Sequence, residues 1–131
     1  MKKKTVLDSF ALLVFLGNES GCEKIKALLT AEDSEVFIND INLGETYCIL
    51  ARERGDEQAD YFLEVIFPAL PIIHLANGLR EVIDAARVMA KYALSYADCF
   101  GIATARSQGA SLVTGDPEFK KVQDLIELDF I

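Results

Sequence analysis

The sequence has one histidine, His74, and three cysteines, Cys22, Cys48 and Cys99. The cysteines are odd in number and show no C-x-x-C spacing, so a zinc site of the usual Cys/His type is not expected. They read as buried thiols in a reducing cytoplasm. Positive charge is also scarce: thirteen lysines and arginines stand against twenty-one aspartates and glutamates, a formal net charge of −8. That balance argues against a strong free-standing grip on nucleic acid, for which a basic face is the usual footprint. It is compatible with a pocket that binds a cation, and equally with ordinary solubility. The apolar run from Phe10 to Leu16 is too short to cross a membrane. Lys2, Lys3 and Lys4 precede it, as basic residues do in a signal peptide, but Asp8 interrupts the approach and no small-residue cleavage site follows. The expectation is a cytoplasmic protein without membrane contact.

What is present suits a folded domain. Hydrophobic residues make up 51% and charged residues 26% of 131 residues, enough for one core and one domain over residues 1–131. Short apolar runs alternate with helical patterns. Strands are predicted at Thr5–Leu7, Val36–Ile38, Ile72–Leu75, Ser111–Val113 and Ile126–Leu128. Helices are predicted over Phe10–Leu16, Gly21–Ala31, Ile41–Arg54, Asp56–Phe67, Asn77–Leu94 and Ser95–Gly109. Asn77 is a candidate cap of the fifth helix, whose apolar face would be Val82, Ala86, Met89 and Ala93. The pattern predicts an α/β class protein: a three-layer α/β/α sandwich around a mostly parallel sheet of four or five strands, covered on both faces.

In such sheets, ligands bind beyond the carboxyl ends of the strands. Asp8 follows the first strand and Asp116 the fourth; Glu45 lies early in the helix after the second strand, and Asp98 in the first turn opened by Ser95. Each acid also has a structural explanation. Asp8 and Asp116 are suited to capping helices, with Pro117 at a first helical position, and Asp98 stands three residues after Ser95 as in a capping box. Glu45 reads equally as an exposed helix glutamate. Together, however, four carboxylates on one edge repel one another unless a cation neutralises them. Oxygen donors in that number favour Mg²⁺ or Mn²⁺, ions that can lower the pKa of water and stabilise charge on a phosphodiester.

These segments resemble the PIN-domain family, particularly the VapC-like toxins of prokaryotic toxin–antitoxin pairs. The similarity runs through Thr5-Val6-Leu7-Asp8-Ser9, Ile41-Asn42-Leu43-Gly44-Glu45, Leu94-Ser95-Tyr96-Ala97-Asp98-Cys99-Phe100 with Ile102-Ala103-Thr104-Ala105, and Thr114-Gly115-Asp116-Pro117-Glu118-Phe119. The resemblance implies Mg²⁺ or Mn²⁺ held by Asp8, Glu45, Asp98 and Asp116. Thr114 looks like the family's hydroxyl residue near the metal, and Ser9 is a further candidate that a plain first-turn serine also explains. Glu118 stands where some members carry another acid, although it reads better as an exposed residue. The implied reaction is endonucleolytic hydrolysis of RNA by an activated water, leaving a 5′-phosphate and a 3′-hydroxyl. The implied partners are an RNA substrate, a cognate antitoxin that often inserts a basic side chain into the acidic pocket, and a second copy in a homodimer. Leu12–Leu16 and Ile25–Leu29 read as partner surface or core. Arg52, Arg80, Arg87, Lys91 and Arg106 are helix cations that could meet RNA, or simply solvated residues.

Two other Mg²⁺-using α/β classes fit less well. A phosphoacceptor receiver would carry paired acids near the first strand and a lysine ending the last. A haloacid-dehalogenase-type phosphatase would carry a second aspartate two residues after Asp8, where Phe10 stands. A PIN-fold module that binds nucleic acid or protein without cutting remains the alternative function, because fold does not by itself fix activity.

Overall fold

The computed structural model describes residues 2–131. It contains strands β1 (Lys3–Leu7), β2 (Ser34–Asn39), β3 (Ile72–Leu75), β4 (Ser111–Thr114) and β5 (Leu128–Phe130). The helices are α1 (Ser9–Leu16), α2 (Cys22–Thr30), α3 (Asp40–Arg54), α4 (Asp56–Tyr61), α5 (Leu79–Lys91) and α6 (Tyr96–Gln108). The strands form one sheet in the order β3-β2-β1-β4-β5. Every pairing is parallel. The strand order reverses between β1 and β4, which is the switch point where such sheets open a crevice.

Two cores fill the sandwich because successive strand residues point to opposite faces. Val6, Phe37 and Leu112 pack on one face with Ala85, Val88, Phe100 and Ile102 of α5 and α6. Leu7, Val36, Ile38 and Val113 pack on the other with Leu12, Ile25, Leu43 and Phe62. The apolar N-terminal helices are therefore mainly core: Leu12, Val14 and Ile25 are buried. The expected helix stop after Leu16 is present, with Gly17 capping α1 and Asn18 left-handed at φ 51°.

Several local expectations need correction. The helix expected over Asp56–Phe67 is α-helical only to Tyr61; a π-helical turn follows over Phe62–Ile66 and a 3₁₀ turn over Phe67–Ala69. The wider turn, in which the Phe67 N–H donates to the Phe62 carbonyl, lets both rings enter the core 6.0 Å apart. α5 is capped by Gly78, whose N–H donates to Glu81, and Asn77 instead accepts from the Ile41 N–H. The buried positions of α5 are Ala85 and Val88, whereas Met89 is exposed. β5 lies two residues later than expected: Ile126 turns inward before the strand starts, and Leu128 pairs with Leu112. Cys22 and Cys99 are buried thiols, but Cys48 is exposed. β3 is an edge strand, so Ile73 and His74 face solvent rather than a second helical layer.

Candidate functional site: an acidic edge at the strand-order switch

The site begins with β1. Three buried residues, Thr5, Val6 and Leu7, carry the chain to Asp8, which is only 3% exposed. Asp8 caps α1, its Oδ1 accepting from the Ala11 N–H at 2.8 Å. The Thr114 hydroxyl lies beside its carboxylate and favours the charged form. The register Leu7↔Val113 explains that contact, because one step further places Asp8 beside Thr114. The same Thr114 oxygen accepts from the Asp116 N–H at 3.1 Å. One fully buried hydroxyl thus stands beside the acid that follows β1 and accepts from the backbone of the acid that follows β4.

Glu45 lies in the second turn of α3, where the Ser9 hydroxyl donates to its Oε1. Asp98 lies in the first turn of α6, and the Ser95 side chain accepts from its N–H. Asp116 caps the 3₁₀ turn over Pro117–Val122 by accepting from the Glu118 N–H at 2.9 Å. The capping roles foreseen for Asp8 and Asp116 are real. They do not exhaust the acids, since each carboxylate has two oxygens and several lone pairs.

The electrostatics bind the four into one group. Burial pushes the Asp8 carboxyl up to about 6; the Thr114 and Ala11 hydrogen bonds oppose this, and the charges of Asp98 and Glu45 add to it. Asp98 is likewise raised, first by burial, against the Ser95 hydrogen bonds and with the charges of Asp116 and Glu45. Among the described residues, none of the four has a salt-bridge partner. The all-oxygen donor set suits a hard divalent cation. Among the described residues, no three His, Cys, Asp or Glu groups stand close enough together to hold an ion.

A second layer that the sequence did not disclose holds the elements in place. Asn39, at the end of β2, caps α3 by accepting from the Asn42 N–H at 2.8 Å. Its amide donates to Asn42 Oδ1 and Thr104 Oγ1, and the Asn42 amide donates to the Ala97 carbonyl, next to Asp98. Both asparagines are buried. They fasten the helix that carries Glu45 to the helix that carries Asp98. Gly101 keeps α6 close, since a Cβ there would stand 3.3 Å from Asn42 Oδ1. Phe10, nearly half exposed, lays its ring over Gly115 at the rim between Asp8 and Asp116.

Other candidates fall outside this group. Glu118 is exposed and paired with Lys121 at 2.5 Å. His74 sits on the edge strand with Asp40 at 2.8 Å and lines a separate apolar cavity of about 650 Å³ with Leu43, Gly44, Leu63 and Phe67.

A five-stranded parallel α/β/α sandwich with carboxylates on both sides of its switch point is the architecture of a PIN-type protein. The family model described as PIN domain matches residues 5–125, and the chain belongs to that family. Its fold is similar to solved VapC-type structures. The DNA-bound VapBC of Salmonella typhimurium aligns at a TM-score of 0.76 and 18% identity, covering 98% of each chain. VapBC2 of Rickettsia felis, bound to a promoter DNA fragment, aligns at 0.75 and 16% identity, again covering 98% of each chain. VapC20 of Mycobacterium tuberculosis, described as a toxin that cleaves the sarcin–ricin loop, aligns at 0.74 and 17% identity, covering 90% of this chain and 94% of that one. No curated protein matches the sequence significantly.

Proposed function

We propose that this chain is a Mg²⁺- or Mn²⁺-dependent endoribonuclease, the toxin of a toxin–antitoxin pair, acting as a single PIN domain. The observation that carries this reading is that Asp8, Glu45, Asp98 and Asp116 lie toward one carboxyl edge, where the charges of Asp98 and Glu45 act on Asp8 and those of Asp116 and Glu45 on Asp98, with no basic side chain among the described residues paired to any of the four. In this reading the four carboxylates hold the cation. When bound, the cation supplies Lewis acidity, lowering the pKa of water and offsetting charge on the phosphodiester. The protein's own groups orient the donors: Thr114 fixes Asp8, Ser9 fixes Glu45, and the asparagine pair holds α3 against α6. No side-chain nucleophile is required, and the single histidine, His74, is paired with Asp40 on the edge strand.

The partners follow from the same reading. The apolar cavity reaches Gly44, adjacent in sequence to Glu45, so a bound antitoxin segment there could direct a basic side chain at the acids. Exposed Leu79 and Ile83, one turn apart on α5, offer a face for a second copy in a homodimer. Among the described residues no helix is long and apolar enough to cross a membrane, and a cytoplasmic location is part of the proposal. Analysis of product ends tests the chemistry. Activated water leaves 5′-phosphate and 3′-hydroxyl ends; a 2′,3′-cyclic phosphate would show attack by the ribose hydroxyl and refute the carboxylate–metal mechanism.

A further inference from the structure

A polyanion must approach a chain of net charge −8 whose reaction edge is acidic. The structure places a cationic surface where it would be needed. Of the arginines at 52, 54, 80, 87 and 106, the last three line one cavity of about 350 Å³ between α5 and α6. Among the described residues Asp84 is the one acid on that lining, against three arginines. Its pairing with Arg87, at 3.5 Å and on exposed side chains, is loose. Arg80 and Arg106 have no salt-bridge partner among the described residues. Ser107 adds a hydroxyl to the lining, and an adjoining cavity that shares Arg80, Asp84 and Ser107 extends the groove along the helix pair; it adds one further acid, Glu81, whose Oε1 accepts from the Gly78 N–H, so three arginines still outnumber two acids.

We propose that this groove is a docking site for the phosphate backbone of single-stranded RNA, with Arg80, Arg87 and Arg106 as its phosphate ligands. The inference rests on the ribonuclease reading and adds a substrate foothold outside the acidic pocket. Guanidinium groups suit the task because they stay charged and offer paired donors to phosphate oxygens. Like charges gathered in one concavity repel one another, and a bound anion relieves that repulsion. The location suits it too. Arg106 lies on α6, the helix whose first turn carries Asp98. Eight residues at 1.5 Å each separate them by about 12 Å along the axis, so a short oligonucleotide can occupy both places.

The test is the anisotropy of a short labelled single-stranded RNA bound by the full chain in EDTA, titrated over a series of salt concentrations. Metal is absent, so binding is read without cleavage. Relative to wild type, an Arg80→Gln/Arg106→Gln variant should bind more weakly and lower the steepness of log K against log salt by about 1.4, from roughly 0.7 for each lost phosphate contact. Arg80→Lys/Arg106→Lys, which keeps the charge, should retain most of that slope. These side chains are exposed, so the melting temperature should stay within a degree or two of wild type. Unchanged affinity and slope in the glutamine variant would overturn the proposal. So would a variant that loses self-association in sedimentation while keeping its RNA affinity, which would assign the groove to a protein partner. Failure of the ribonuclease reading appears separately, as wild-type protein that binds RNA but does not cleave it with Mn²⁺.

Discussion

Replacing Asp8 by asparagine tests the electrostatics of the acidic edge with little change of shape. Asp8 is buried, and its pKa stands at about 6 against an ordinary value of 3.8. A carboxyl raised on folding holds its proton more tightly in the native state, so it opposes folding once the pH rises through that window. The sign is fixed: the penalty is absent below about pH 4, grows between 4 and 6, and is complete above 6. At 1.36 kcal/mol per unit, the gap of about 2.2 units amounts to about 3 kcal/mol at pH 7. Asparagine keeps an oxygen to accept from the Ala11 N–H, so the cap is retained. Asp8→Asn should therefore stabilise the metal-free protein at pH 7 by up to about 3 kcal/mol, a melting shift on the order of 10 °C for a domain of this size. At pH 4 the two proteins should melt together. The assay is thermal or urea unfolding in EDTA across that pH range. A variant less stable than wild type at pH 7, or a gain that does not shrink towards pH 4, would refute the reasoning and reduce Asp8 to a helix cap.

Other perturbations probe the remaining parts. Mn²⁺ at a hundred times its dissociation constant should stabilise the wild type by about 2.7 kcal/mol; in calorimetry this gain should be lost in Asp116→Asn, and an equal gain there would remove Asp116 from the donor set. Thr114→Val deletes the hydroxyl that lowers the Asp8 pKa and leaves the Asp116 N–H without its acceptor. Carboxyl titration by NMR should then find Asp8 above its wild-type value, and a fall would contradict the bridging role. Asn42→Ala removes a buried amide and leaves the part-buried Ala97 carbonyl without its donor, at a cost of about 2 kcal/mol in urea unfolding. It should also slow cleavage by loosening Asp98 against Glu45. Stability within 0.5 kcal/mol of wild type, on the order of a neutral surface change, would show the network to be dispensable.

The fold was legible where apolar runs were short and bounded. Thr5–Leu7 of β1, Val36–Asn39 of β2 and the whole of β4 are runs buried on both faces, and a parallel sheet follows from them. Asp8 and Asp116 could be placed because a residue just past a parallel strand has little freedom of position. α5 is less legible: Ala85, Ala86 and Ala90 spread small apolar residues around the helix, so the sequence points Met89 inward whereas Val88 is the buried one. At β5, Ile126 looks like a strand residue but is an inward anchor preceding the strand. Nothing local marks Asn39 and Asn42 as more than helix-start residues. Their partners Thr104 and Ala97 lie 65 and 55 residues away, and only the packed structure brings them together. The Ser9–Glu45 hydrogen bond, spanning 36 residues, was hidden for the same reason. So was the meeting of Arg80, Arg87 and Arg106, which in sequence are three separate helix cations.

The central claim is that the acidic edge cuts RNA with the help of a divalent cation. The most direct measurement is cleavage of a labelled RNA pool by purified protein with Mn²⁺ or Mg²⁺, beside EDTA and the Asp98→Asn variant. Cleavage that requires both the cation and Asp98 is the expected result. No cleavage of any RNA with either cation, or metal-independent cleavage that is equal in the variant, would contradict it.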